Sequence, residues 1–196
     1  MSRPLRMRGS RPARTRVLVL LSGGIDSATT LAAYRHQRAD LTAVFVDYGQ
    51  PARRSEWRAA QAIAQHYGIT LTRKRLGIRL SSQSGEFFGR NALFLLAAAA
   101  TVGGGPLVVA TGLHAFSPYY DTTPSFVSDM QRILDGYSAG TVTIAAPFLT
   151  VPKVALVRFA LRHRVPLQLT YSCERRNAPA CGQCRSCRDR RTHYVD

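Results

Sequence analysis

The residues best suited to chemistry near the amino terminus form the segment SGGIDS at 22–27, which directly follows the apolar run VLVLL at 17–21. Two adjacent glycines let the backbone approach a ligand closely and adopt positive φ. Backbone N–H groups of such a turn, with those of a following helix, form a concave anion site. The carboxylate of Asp26 suits a magnesium ion or a helix cap. We therefore predict a phosphate-binding loop, with a plain strand-to-helix turn as the alternative.

Four cysteines near the carboxyl terminus, the only ones in the chain, follow the pattern C-x7-C-x2-C-x2-C. They are Cys173, Cys181, Cys184 and Cys187. Four thiolates on a short polar segment suit a tetrahedral zinc ion, with Zn–S distances of about 2.3 Å. The alternatives are two disulfides, or a redox pair formed by Cys181 and Cys184. Because four protein ligands leave no open position, we expect a structural zinc ion.

Short apolar runs alternate with helical segments along the chain. Strands are predicted at 17–21, 41–46, 69–76, 107–111 and 142–145, and helices at 26–38, 55–67 with Ser55 as N-cap, 91–102, 124–135 and 152–163. This alternation predicts an α/β fold with a five-stranded, parallel, doubly wound sheet. Ligands of such sheets bind beyond the carboxyl ends of the strands, where the SGGIDS segment falls. The irregular stretches 80–90 and 113–123 are candidate site loops.

The length of 196 residues favours one domain. Residues 1–16 hold six arginines and no acid, which predicts a disordered basic tail. Residues 17–165 then form the nucleotide-binding domain, and residues 166–196 form a zinc-binding segment packed on it.

The formal net charge of +16 favours anionic partners, namely nucleotides, carboxylates or nucleic acid. Arginines spread over a solvated surface would give the same charge. No apolar stretch reaches the 18 to 20 residues, roughly, of a membrane span, and the run at 17–21 is too short for a secretory signal. We therefore predict a soluble, cytoplasmic protein without a membrane partner.

The SGGIDS segment resembles the PP-loop of the ATP pyrophosphatases, which cleave ATP between the α and β phosphates. Together with the cysteine segment, it resembles the 7-cyano-7-deazaguanine synthase family, from about residue 17 to residue 194. Further matches follow in the family's order: VDYGQ at 46–50, Glu56, GRNALFL at 89–95, ATG at 110–112, YDTTPSF at 120–126, Lys153, LTYSC at 169–173 and CGQC at 181–184. The resemblance implies an adenine nucleotide alpha hydrolase-like fold.

The resemblance also implies a carbon–nitrogen ligase that uses ATP, magnesium and zinc and belongs to the queuosine or a related deazaguanine pathway. Its substrates would be 7-carboxy-7-deazaguanine and ammonia. Adenylation of the carboxylate precedes displacement of AMP by ammonia, which gives an amide. A second ATP activates the amide oxygen, and loss of AMP leaves the nitrile. Each ATP would yield AMP and pyrophosphate, and the enzyme would be a homodimer.

The predicted site residues combine this resemblance with their positions in the sheet. The catalytic candidates are Asp26, Arg90, Lys153 and Asp121. The ATP-binding candidates are Leu21, Ser22, Gly23, Gly24, Ile25, Asp26, Ser27, Val46, Asp47 and Gly112. The substrate-binding candidates are Arg90, Asn91, His114, Tyr120 and Asp121.

Several of these candidates have a structural alternative. Asp47 faces the metal or nucleotide, or else caps a turn. Arg90 binds a carboxylate or phosphate through two N–H groups, or else lies on the surface. Asn91 reads the base or caps a helix, and Asp121 reads the N–H edge of a deazaguanine or is solvated in a loop. Lys153 contacts phosphate or is an exposed residue at a helix start.

The segment 113–123 departs from the family pattern while the loop and the cysteines are intact. Residues 115–117 (AFS) stand where the family usually carries an acidic residue and a tyrosine, and Thr122 and Thr123 replace a Cys-Arg pair. One alternative is a divergent enzyme of a defence or antibiotic pathway that stops at the amide or joins the activated deazaguanine to another acceptor, such as a protein. Another is a zinc-containing, basic tRNA- or nucleic-acid-binding protein. A tRNA-thiolating enzyme is disfavoured because all four cysteines belong to one site.

Overall fold

The computed structural model describes residues 14–37, 39–77, 87–101, 105–115 and 119–193. The strands are β1 (Arg16–Leu20), β2 (Asp40–Asp47), β3 (Thr70–Arg75), β4 (Leu107–Ala110) and β5 (Val142–Ala145). The α-helices are α1 (Ile25–His36), α2 (Arg53–Tyr67), α3 (Arg90–Ala99), α4 (Pro124–Ser138), α5 (Lys153–Arg162) and α6 (Arg185–His193). Short 3-10 turns cover Tyr120–Thr122 and Leu167–Leu169.

The five strands form one parallel sheet in the order β3-β2-β1-β4-β5, which confirms the predicted fold class. The chain leaves β1 towards β2 and β3, and it returns to β4 on the other side of β1. The strand order therefore reverses between β1 and β4, and such a reversal leaves a crevice at the carboxyl ends of the two strands. The segments that follow β1 and β4 flank this crevice.

Helices cover both faces of the sheet. Val17 and Val19 of β1 pack with α1 and α2 on one face, and Leu18 packs with α3 and α4 on the other. Successive side chains of a strand point to opposite faces, so a strand buried on both sides reads as a continuous apolar run. The segment VLVLL has this composition for that reason.

Most element boundaries are shifted by one to three residues from the predictions, and three differences carry structural meaning. Strand β1 begins at Arg16, which had been assigned to the basic tail, while residues 1–13 of that tail lie outside the described residues. Helix α2 begins at Arg53, so Ser55 is a buried residue within the helix and not its N-cap. Helix α6 was not predicted, because its sequence RSCRDRRTH has no apolar periodicity.

In the described part of the chain, every helix is too short or too polar to cross a membrane.

Candidate nucleotide site and cysteine cluster

The predicted phosphate-binding loop folds back on the first turn of α1. Ser22 Oγ lies 3.1 Å from Ser27 Oγ and accepts a hydrogen bond of 3.3 Å from the backbone N–H of Gly24. Ser27 Oγ donates to the carbonyl of Gly24 at 2.9 Å. Helix α1 begins at Ile25, and the first N–H groups of a helix have no acceptor within the helix. The loop and this helix start therefore have the backbone arrangement on which the predicted anion site depends.

Two glycines allow this loop to pack tightly against its neighbours. Gly23 has a φ of +85°, and a Cβ atom there would lie 2.4 Å from the carbonyl oxygen of Glu56 in α2. A Cβ atom at Gly112, which follows β4, would lie 2.9 Å from the backbone of Asp26 and Ser27. Gly112 had been predicted to bind the nucleotide, and its position shows that it leaves room for the first turn of α1.

Lys153 and Asp26 form an ion pair between the first residue of α5 and the first turn of α1. Both side chains are partly exposed. His114, which follows β4, feels both charges: burial lowers its pKa most, Asp26 raises it and Lys153 lowers it. The structure thus brings together three predicted site residues that are far apart in the sequence. They lie beside the crevice between β1 and β4.

Asp47 ends β2, and both of its carboxylate oxygens accept hydrogen bonds from other protein groups. Its Oδ2 accepts hydrogen bonds from Arg73 Nε at 3.1 Å and Nη2 at 2.6 Å, and its Oδ1 accepts from the backbone N–H of Gly49 at 3.2 Å. Arg73 comes from the neighbouring strand β3, and its guanidinium also lies over the Trp57 ring, 5.2 Å from the ring centroid. These contacts agree with the structural alternative for Asp47, and Val46 before it is buried.

Glu56 is a carboxyl group whose environment the sequence did not predict. Gln50 Nε2 donates a hydrogen bond of 2.8 Å to Glu56 Oε2, and Gln50 itself is buried. Burial raises the pKa of Glu56 to about 7, although Gln50 and the positive charge of Arg90 lower it. The charges of Glu174 and Asp47 raise it further. The positive charge of Arg90 thus lowers the pKa of a carboxyl group in α2, the helix that packs against Gly23.

Asn91 and Asp121 join the start of α3 to the loop before α4. Asp121 Oδ2 accepts a hydrogen bond of 3.2 Å from the backbone N–H of Asn91, and Asn91 Nδ2 donates to the Asp121 carbonyl at 2.9 Å. Both predicted substrate residues are therefore held together. The Asp121 carboxylate also caps the helix that carries Arg90.

The remaining substrate candidate, Tyr120, is exposed. Its hydroxyl donates a hydrogen bond to Asp129, and its ring packs edge-on against Phe126, with centroids 5.7 Å apart. Thr123 accepts a hydrogen bond from the Phe126 N–H and so caps α4. Residues 116–118 of the predicted substrate loop lie outside the described residues.

The four cysteines meet in one cluster, with all four Sγ atoms within 4.8 Å of one another and no disulfide among them. Backbone N–H groups point at the sulfur atoms, from Cys181 to Cys173 Sγ at 3.4 Å and from Cys184 to Cys181 Sγ at 3.3 Å. Hydrogen bonds from the Gln183 and Cys184 N–H groups lower the pKa of Cys181 to about 6. Four clustered sulfur atoms, two of which accept N–H bonds, fit a tetrahedral zinc ion.

The cysteine segment contacts both the loop and α2. The Tyr171 N–H donates to the Gly23 carbonyl at 2.9 Å. Asn177 Oδ1 accepts from the backbone N–H groups of Arg54 and Ser55, each at 3.0 Å, and Ser55 Oγ accepts from the Ala178 N–H at 2.8 Å. Asn177 therefore supplies the cap that Ala52, at the N-cap position of α2, lacks.

The loop and the cysteine cluster belong to a single sequence family. The model of the family described as queuosine biosynthesis protein QueC matches residues 16–87 and 86–196. The chain belongs to the QueC family. This match includes every predicted catalytic, ATP-binding and metal-ligating residue.

Relatives in the QueC family match over nearly their whole length. One is the 7-cyano-7-deazaguanine synthase 2 of Desulfitobacterium hafniense, which is 31% identical over 88% of this chain and 85% of its own. Another is the 7-cyano-7-deazaguanine synthase of Acinetobacter baylyi, which is 31% identical over 97% of this chain and 95% of its own.

Two solved structures with much lower sequence identity share the fold of this QueC family member. A predicted subunit of tRNA methyltransferase from Methanocaldococcus jannaschii superposes with a TM-score of 0.56 at 14% identity, over 75% of this chain and 76% of that one. The NMN synthetase of Francisella tularensis superposes with a TM-score of 0.53 at 14% identity, over 87% of this chain and 71% of that one. At such low identity these two proteins support the α/β fold alone.

Proposed function

We propose that this protein converts 7-carboxy-7-deazaguanine and ammonia to 7-cyano-7-deazaguanine and consumes ATP as AMP and pyrophosphate. The observation that carries the proposal is the QueC family match, which spans both the SGGIDS loop and the cysteine segment. The geometry of the loop agrees with it, because the start of α1 and the start of α5 come together at the Lys153–Asp26 pair. Two helix starts and a lysine suit the phosphates of a nucleotide.

ATP would be held by the backbone and hydroxyl groups of the loop residues Ser22, Gly23, Gly24, Ile25 and Ser27. Lys153 is placed to move from Asp26 to a phosphate, since its ammonium group already lies at the start of α1. Its transfer would free the Asp26 carboxylate. A positive charge that follows the departing pyrophosphate stabilises the negative charge that develops there.

Magnesium and zinc have separate places in this scheme. Asp26 is the carboxylate of the loop and would hold a magnesium ion once Lys153 turns to phosphate. Zinc would be held by the four cysteines Cys173, Cys181, Cys184 and Cys187. It would hold the carboxyl-terminal segment together and would have no open coordination position. Asp47 is not needed for either ion, because Arg73 occupies its carboxylate.

The deazaguanine would lie between the crevice and the start of α3. Arg90 carries the positive charge for its carboxylate, and Asp121 retains lone pairs that can accept from the N–H edge of the base. His114 lies near Asp26 and Lys153, and burial lowers its pKa, which favours a neutral imidazole that can accept a hydrogen bond. Asn91 fixes Asp121, and Tyr120 precedes it as an exposed residue.

The proposal is tested with purified protein, ATP, magnesium, ammonium and 7-carboxy-7-deazaguanine, with mass spectrometry of the products. The expected products are the nitrile, AMP and pyrophosphate. A Lys153→Met variant serves as the inactive control, and a reaction without ammonium should stop before the amide. Release of ADP and inorganic phosphate, or no turnover of the deazaguanine by metal-loaded protein, would contradict the proposal.

A second candidate is a divergent enzyme that stops at the amide or transfers the activated deazaguanine to another acceptor. The observation that favours it is the use of Thr123 as the cap of α4, where the family usually has an arginine. The same mass spectrometry separates the two, because an amide that accumulates with excess ATP supports the second candidate. The homodimer and the cytoplasmic location remain predictions.

A further inference from the structure

Four exposed arginines lie together where α2 meets the cysteine segment. Arg54 and Arg58 are one turn apart on α2, and Arg175 and Arg176 follow Cys173. The hydrogen bonds of Asn177 to the start of α2 hold the two segments side by side. We call these four residues the arginine face.

The acids near the arginine face are turned to other partners. Glu56 accepts a hydrogen bond from Gln50, and Glu174 accepts one from Ser186. In the ranges that the structure describes, none of the four guanidinium groups forms a salt bridge with a carboxylate. Their charges are therefore available to a partner in solution.

The start of α2 adds to this positive potential, because a helix amino terminus carries a partial positive charge. A second group of four exposed arginines, Arg35, Arg158, Arg162 and Arg164, lies at or near the carboxyl-terminal ends of α1 and α5. There the partial charge of the helices is negative and offsets the arginines. The second group also borders the exposed apolar side chain of Leu161, whereas none of the exposed large apolar side chains in the described residues belongs to α2 or to the cysteine segment 171–184.

We propose that the arginine face binds the phosphate backbone of a nucleic acid. Guanidinium groups bind phosphate oxygens through two parallel N–H bonds, and a row of them matches a repeating phosphate better than a single small anion. The absence of exposed large apolar groups in this described surface disfavours insertion into a membrane. The inference goes beyond the proposed synthase activity and does not depend on it.

The test measures binding of a fluorescein-labelled RNA hairpin by anisotropy at several salt concentrations. Wild type should bind with an affinity that falls steeply with salt, because each neutralised phosphate releases counterions. The variant Arg54→Gln/Arg58→Gln/Arg175→Gln/Arg176→Gln should bind at least about 10-fold more weakly, with a salt slope reduced by about two to four. Zinc content and turnover should stay at the wild-type level in this variant, since none of the four side chains belongs to the site.

A matched control removes the same charge elsewhere, through Arg35→Gln/Arg158→Gln/Arg162→Gln/Arg164→Gln. This variant should bind RNA within about threefold of wild type. Equal losses in the two variants would mean a general attraction to a basic protein and would overturn the proposal. It would also be overturned if polyglutamate or anionic vesicles displaced the RNA at equal charge concentration, or if wild type did not bind RNA near physiological salt. A DNA hairpin of the same sequence distinguishes RNA from DNA as the source of the phosphates.

Discussion

The backbone N–H of Tyr171 donates a hydrogen bond of 2.9 Å to the carbonyl oxygen of Gly23. Tyr171 stands two positions before the first cysteine of the cluster, and Gly23 is in the phosphate-binding loop. The shape of the loop is therefore coupled to the carboxyl-terminal segment. In the proposed function, the cysteine segment supports the nucleotide site through this contact.

Removal of one thiol from the cluster should loosen the whole carboxyl-terminal segment. We expect Cys184→Ser to lose zinc and to lower the free energy of unfolding by about 3 kcal/mol or more, because metal-binding energy is folding energy at such a site. Elemental analysis and chemical denaturation measure the two effects. The neighbouring exposed Gln183→Ala variant keeps all four sulfur atoms and should match wild type. A metal-free but equally stable Cys184→Ser protein would contradict this role.

A methyl group at Gly23 should disrupt the loop far more than one at another left-handed glycine. Gly23→Ala places its Cβ against the Glu56 carbonyl, whereas Gly68→Ala has the same type of backbone conformation and no atom within 4 Å. We expect Gly68→Ala to cost about 1 kcal/mol of unfolding free energy and Gly23→Ala about 3 kcal/mol or more. Denaturation curves of both variants give the comparison. Equal costs would show that close packing at Gly23 is unimportant.

Loss of either member of the Lys153–Asp26 pair should reduce turnover rather than fold stability. We expect Lys153→Met and Asp26→Asn each to slow pyrophosphate release by about 100- to 1,000-fold, which corresponds to about 3–4 kcal/mol of transition-state stabilisation. Both side chains are partly exposed, so the free energy of unfolding should change by less than about 1 kcal/mol. Magnesium titration separates the two roles, since only Asp26→Asn should need more magnesium. Wild-type rates in either variant would contradict the assigned roles.

Asp121 both caps α3 and is placed to read the base, and two substitutions separate these roles. Asp121→Ala removes the acceptor for the Asn91 N–H, so it should lower stability as well as turnover. Asp121→Asn keeps an oxygen for that N–H but loses the negative charge. We expect Asp121→Asn to fold with near wild-type stability and to raise KM for the deazaguanine about 10-fold or more. If KM is unchanged, Asp121 has only the structural role.

Glu56 should make the stability of the protein depend on pH. Its pKa is raised to about 7 in the folded protein, so the protonated carboxyl is favoured by folding and stability is lost as pH rises from the usual glutamate pKa through 7. Between pH 6 and pH 8, wild type should lose about 1 kcal/mol more unfolding free energy than Glu56→Gln. Denaturation at both pH values measures this difference. Both proteins contain the same cysteine cluster, so its pH dependence cancels in the comparison. A greater loss in Glu56→Gln would reverse the assigned sign.

The sheet was predictable because β1, β2 and β4 are buried on both faces and read as short apolar runs between helices. The strand Val142–Ala145 was predicted at its observed bounds. Helix α6 was missed because the four sulfur atoms, and not an apolar stripe, position it: Cys187 is its only buried residue. A hydropathy pattern does not detect a helix of that kind.

Contacts between distant parts of the chain account for the other differences. Ser55 was predicted to cap α2 from local spacing, yet the capping oxygen comes from Asn177, which is 122 positions from Ser55. The pairing of Lys153 with Asp26 joins residues 127 positions apart. The residue types of the loop predict a phosphate site, but no local feature of the sequence indicated that Lys153 would pair with Asp26 of the loop.

The capping of α2 by Asn177 also sets an order of events during synthesis on the ribosome. Arg54 is translated 123 residues before Asn177, whose side chain caps the start of α2. The interval between Gly23 and its hydrogen-bond donor Tyr171 is longer still. A nascent or prematurely terminated chain that lacks residues 171–177 has neither the helix cap nor the hydrogen bond to the loop. Only a finished chain therefore has both of the contacts by which the cysteine segment holds the loop and the start of α2.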